Sequence, residues 1–207
     1  MATKDTRRKV LAVLAGGLVL GVGIGVTLAA WNDSESATGT FTAGAFNLEG
    51  STTSATAGYA SHNVDAGDAA ATLAFTLPAV ASSMSPGDVV YAPFWVRLDS
   101  TTTNSATLLP TGVTAGTGGN EANLSYSVTA IAPAATCGAG ATGTVVASGA
   151  TLAAQTGATS VALAEGTPAG TAGVPVQLCF AVTAGAGLVQ ATAATATWEF
   201  TATSTAD

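Results

Sequence analysis

Charge is scarce in this chain of 207 residues: charged side chains make up 8%, and only five are basic. Lys4, Arg7, Arg8 and Lys9 account for four of the five. Everything after residue 30 therefore carries Arg97 as its one base against eleven acids, a net charge of −10 with His62 neutral. Such a surface repels polyphosphate and anionic lipid, which excludes nucleic acid as a partner. Histidine occurs once, so a two-histidine metal helix is impossible, and no Gly-x-Ser-x-Gly elbow stands ready for a serine triad. No catalytic residues and no cofactor motif emerge from what is left, and the chain is read as a non-enzyme without cofactor or metal. Glu, Lys, Arg and Gln, which populate long helices, are sparse. Cysteine is limited to Cys137 and Cys179, too few for a zinc site. In an exported chain such a pair is most simply a disulfide; with a sequence separation of 42, closing the loop contributes about 4 kcal/mol in the chain-entropy account.

Ala, Thr, Gly and Val fill the space. Thr and Val favour strands and Gly favours turns, so the composition is that of an all-β secreted protein. The basic cluster at Lys4 to Lys9 is followed by Val10 to Ala30 without one charge. This reads as an export signal over residues 1–30, cut at Ala29, Ala30 and Trp31. The 21-residue run is also long enough for a retained membrane anchor. Arg7-Arg8 resembles a twin-arginine signal but has no cofactor motif to serve, and the apolar run lacks the Glu expected of a pilin. The membrane is expected to be met only through this leader, before cleavage. Removing it leaves 177 residues, enough for one domain with a sizeable core.

Beyond the leader the chain alternates. Thr40 to Leu48 places Phe41, Ala43 and Ala45 in one phase and Phe46 and Leu48 in the other, with a bulge expected at Gly44. Ser51 to Ala60 reads as loop. Ala70 to Leu77 alternates through Leu73, Phe75 and Leu77. Ser85-Pro86-Gly87-Asp88 is a turn, and Val89 to Asp99 follows as a strand that Pro93 marks as an edge or bulge. Further strands are predicted at 105–109, 124–130, 143–147, 160–163, 176–182 and 190–203. About eight to ten strands stack as a sandwich or jelly roll. The organisation predicted is a leader over 1–30, an N-terminal strand segment over 31–50 and a β-sandwich over 51–207.

Ala29-Ala30-Trp31-Asn32-Asp33 and Gly39-Thr40-Phe41-Thr42-Ala43-Gly44-Ala45-Phe46-Asn47-Leu48 resemble the TasA/camelysin family of secreted bacterial proteins, released by a signal peptidase of SipW type. Ser85-Pro86-Gly87-Asp88 and the strand after it are similar to that family's Pro-Gly-Asp turn. The resemblance covers about 30 residues at the N-terminus and is one of pattern beyond Pro86. It implies a jelly-roll subunit of extracellular or biofilm-matrix fibres, its partner another copy of itself. The freed segment would be donated as a strand to a neighbour. By position the donor residues are Trp31, Thr40, Phe41, Ala43, Ala45, Phe46 and Leu48. A monomeric secreted binding domain is the alternative. A camelysin-like peptidase finds no residues here to perform its chemistry.

Other candidates are weaker. His62 is expected in an exposed loop. Asn63, Asp65 and Asp68, or Asp33 and Glu35, offer hard oxygens that suit calcium but read as solvated turns. Arg97 is expected to pair with an acid such as Asp99 or Asp88, and Trp31, Trp95 and Trp198 to be core or interface.

Overall fold

The computed structural model describes residues 4–25, 38–40, 43–75 and 81–205. The chain divides into two compact units, Met1–Thr42 and Ala43–Asp207. In the first, helix α1 spans Lys4–Gly25, with Asp5 in its first turn, where a carboxylate offsets the positive end of the helix dipole. Its side chains from Lys4 to Ala15 are exposed, the apolar Val10, Leu11, Val13 and Leu14 included. No helix among the described residues is long and apolar enough to cross a membrane. The expected cut at Ala29, Ala30 and Trp31, and the donor residues Trp31 and Phe41, lie outside the described residues.

The second unit is an all-β sandwich, as its alternation predicts. Its strands are β1 (Leu48–Ser51), β2 (Val89–Leu98), β3 (Ala106–Ala115), β4 (Leu124–Ile131), β5 (Thr144–Gly149), β6 (Val161–Leu163), β7 (Val176–Ala184) and β8 (Ala196–Ser204). One sheet has the order β1-β2-β7-β4-β5 and the other β6-β3-β8, with every pairing antiparallel.

β7 is the keystone because its apolar run serves both faces. Toward the second sheet it sends Leu178, Phe180, Val182 and Ala184, all buried. The Phe180 ring meets Trp198 at 5.1 Å and Phe200 at 6.0 Å, and Trp198 stands edge-on to Tyr126 of β4 at 5.4 Å. Aromatic contacts of this geometry are worth about 0.5–1.5 kcal/mol each beyond the area they bury. On its outer face β7 carries Gln177 and Cys179. The chain after β4 folds back over that face. Cys137 bonds Cys179, and both sulfurs are buried with Ile131. The Gln177 amide, nitrogen toward the loop, donates to the carbonyls of Ala135 (2.9 Å) and Ala132 (3.2 Å). Trp95 Nε1 donates to Pro133 O at 2.8 Å. Trp198 is thus core, as predicted, whereas Trp95 pins a loop on the outer face.

Several predicted boundaries move. The strand expected over Thr40 to Leu48 begins only at Leu48, and Ala43 to Asn47 is exposed. Gly44 lies outside any strand, so it is not a bulge; an added Cβ there would collide with Thr103 Oγ1. Ala70 to Phe75 alternates in burial as predicted but pairs with no strand among the described residues. β3 runs past Pro110 to Ala115, because a bulge between Pro110 and Gly112 absorbs the missing donor. Pro93 lies within β2 two positions beyond Trp95, the last residue that β1 reaches, so β2 is locally an edge there.

Candidate functional site

Two places could take part in strand exchange: the base of the N-terminal arm and the free edge of β8. The arm base is a polar clasp. Thr103 N donates to Ala45 O (3.0 Å), and Asn47 N donates to Thr102 Oγ1 (2.9 Å). Asn47 Nδ2 donates to Asp99 Oδ2 (3.1 Å), while Asn47 O accepts from Asp99 N (3.1 Å). Asp99 sits at the end of β2 and also accepts from the backbone and hydroxyl groups of Thr101 and Thr102. The sequence folds this way because Asp readily caps the two residues that follow it. Partial burial pushes the Asp99 carboxyl upward, but its bonds to Asn47, Thr101 and Thr102 outweigh that and hold it below the usual carboxylate range.

A carboxylate lowered by folding adds stability above its unfolded value, near 4, and loses it as pH falls through the lower folded one. Urea midpoints are therefore expected to be flat above about pH 5 and to decline below about pH 4. An Asp99→Asn variant should be less stable than the parent at pH 7 and converge with it near pH 2. Parallel curves would show that the clasp owes nothing to the charge.

One step on, β1 is bound to its own sheet. Leu48 pairs with Leu98, and Glu49 lies opposite Arg97 with Oε1 2.6 Å from Nε. The guanidinium sits 3.6 Å from the centre of the Tyr59 ring. Arg97 thus pairs with an acid, as expected, but the acid is Glu49 and neither Asp99 nor Asp88. The cross-strand register selects that acid, and no local spacing encodes the register. Burial raises the Tyr59 phenol, with Arg97 opposing and Glu49 reinforcing the shift. Among the predicted donor residues, Leu48 is committed in cis, Ala45 makes a single bridge with Thr102, and Thr40, Ala43 and Phe46 are exposed, Phe46 at 41%.

β8 turns Ala196, Trp198, Phe200 and Ala202 inward and Thr197, Glu199, Thr201 and Thr203 to solvent. One edge pairs with β3 from Ala106 to Ala115. The other edge pairs with no strand among the described residues. The approach to β8 is latched. Buried Asn120 donates to Val189 O and Thr192 O and accepts from Val189 N, at 2.8–2.9 Å. Beside it Glu121 accepts from the amides of Gly118 (2.7 Å), Gly119 (2.6 Å) and Thr195 (3.4 Å). Its own backbone amide and that of Gly119 do most to hold its carboxyl below the ordinary range, against the pull of burial. This latch delays β8 until Ala196, where the sequence predicts a strand from 190. It could have been suspected from an Asn-Glu pair amid small neutral residues. Asn120→Ala removes three hydrogen bonds made by a buried amide to the backbone of Val189 and Thr192 and is expected to cost about 2–3 kcal/mol in urea unfolding. A loss under about 0.5 kcal/mol would mean that water replaces the side chain.

The remaining candidates are engaged elsewhere. His62 is half-buried rather than exposed, 6.2 Å from the Phe94 ring, with Nδ1 donating to Ala69 O at 3.2 Å. Asn63 caps a 3-10 turn and Asp68 accepts from Ser61. Among the described residues no group of three or more His, Cys, Asp or Glu could hold a metal ion. No protein-family model matches the chain, and no curated protein matches it.

Proposed function

We propose that this chain is an exported structural subunit of extracellular fibres, assembled head to tail by strand donation, as its resemblance to the TasA/camelysin family implies. A signal peptidase of SipW type frees Trp31–Phe46, and that segment pairs beside β8 of the next copy. The reading rests on one observation above all: β8 has nine residues, an apolar inner face and an edge that pairs with no strand among the described residues, in a sheet of three strands that faces one of five. The proposed donor suits that edge. Ser36 to Leu48 carries no charge, and Ala43 to Phe46 is exposed, held to the clasp only through Ala45.

An added strand gives unpaired backbone groups their partners. Burying Phe41 and Phe46 contributes about 3–6 kcal/mol, and each ladder bond about 0.5–1.5 kcal/mol. Association costs of the order of 4–15 kcal/mol oppose this, so growth is concentration-dependent. Donation from one copy to the next does not close on itself and propagates as a filament. Electron microscopy of the concentrated secreted protein, with N-terminal sequencing of the same sample, tests the reading. Filaments built of chains that begin near Trp31 are expected. Globular particles alone at every concentration, or chains that keep the leader, overturn it.

A further inference from the structure

Ala70–Phe75 has the sequence of a strand and lacks a strand's partner. Leu73 and Phe75 turn inward and join the core, while Thr72 and Ala74 are exposed, which is the two-residue period of an extended strand. Among the described residues its backbone makes no ladder; Phe75 O accepts from Ala81 N at 3.1 Å at its far end. The Phe75 ring lies 6.3 Å from that of Trp198, so this unpaired stretch packs on the strand whose edge is free.

We propose that Ala70–Phe75 is a placeholder, covering the apolar surface beside β8 in the free subunit and giving way when a neighbour's N-terminal segment pairs there. The inference rests on the strand-donation reading above. Its physical basis is a difference in what each occupant can offer. The placeholder is held by its apolar side chains, whereas an incoming strand brings similar side chains and ladder bonds as well. The two stretches are alike in kind: Thr40-Phe41-Thr42-Ala43 and Thr72-Leu73-Ala74-Phe75 are both small and uncharged, with one aromatic each. Covering that apolar surface also keeps it from non-specific association in the free subunit. Release of the placeholder is then a toll on every addition, since the competent state is only a fraction of the whole.

Weakening the placeholder should speed growth. In the secreted protein, Phe75→Ala is expected to elongate from wild-type seeds about tenfold faster at equal concentration. Thr72→Ala, on the exposed face, should match wild type. Elongation of Phe75→Ala at or below the wild-type rate overturns the proposal. Because Phe75 also fills core space, wild-type protein supplies a second readout. In hydroxyl-radical footprinting, Leu73 and Phe75, which the incoming strand displaces from the core, should oxidise several-fold faster in fibres than in monomers. Equal or slower oxidation overturns the proposal as well. Filaments that persist without Trp31–Phe46, or no filaments at all, defeat the strand-donation reading and the placeholder with it. Filaments that need that segment while both readouts fail defeat the placeholder alone.

Discussion

A chain that begins at Asn47 is expected to form no filaments and to keep a folded domain whose unfolding free energy differs by less than about 1 kcal/mol from that of a chain that begins at Trp31. The boundary follows from where burial begins. Ala43 to Phe46 is exposed, and its ties to the domain are the bridge of Ala45 with Thr102 and the bonds from Thr103 to Ala45 O. Asn47 starts the clasp to Asp99 and Thr102, and Leu48–Ser51 is paired with Leu98–Trp95. A cut carried through Ser51 would uncover Leu98, which is fully buried, and take Glu49 from Arg97. That longer deletion should destabilise the domain itself, and its failure to polymerise would say nothing about donation. The shorter one separates the two effects. Electron microscopy and sedimentation report assembly, and circular dichroism melts report the fold. Filaments formed by the shortened chain would sink strand donation. An equally large loss of stability would show that the arm belongs to its own domain.

Alternation told the sequence which side chains face inward, and it told little about which strands meet. β7 was legible because Val176, Leu178, Phe180 and Val182 share a phase, and β4 because Leu124, Tyr126 and Val128 do. The Pro86-Gly87 turn was legible because Gly87 takes a φ of +91°, which only glycine adopts at little cost. Ala70 to Phe75 shows the limit. Its inward phase is correct, yet a phase does not supply a ladder partner, and none pairs with it among the described residues. The strand predicted over 105–109 continues past Pro110 to Ala115, and only the bulge against β8 shows how. At the candidate site, the pairing of Arg97 with Glu49 and the clasp from Asn47 to Asp99 join residues about fifty positions apart. Such partners depend on register, which is set by the whole sheet. The open edge of β8 is likewise a property of the strand order and has no local signature.

Replacing Cys137 and Cys179 together with alanine is expected to cost about 4 kcal/mol and to lower the melting midpoint by about 8–16 °C. The disulfide closes a loop of 42 positions, which is the entropic part. It also clamps the stretch after β4 onto the outer face of β7, where Ala132 and Ala135 supply the acceptors for buried Gln177. If the clamp loosens, that amide loses its partners, so Gln177→Ala should cost less in the alanine pair than in the parent, a coupling that a double-mutant cycle reads directly. The other face should be indifferent. Phe180, Trp198 and Phe200 pack on the opposite side of β7, and the free edge of β8 lies in the second sheet. Well below its lowered midpoint, the cysteine-free protein is therefore expected to polymerise at the parent rate. A cost below about 1 kcal/mol would mean that Gln177 and Trp95 hold the loop without the bond. Loss of polymerisation in a protein still folded by near-ultraviolet dichroism would mean that the two faces of β7 are coupled, and that the exchange site reaches further than β8.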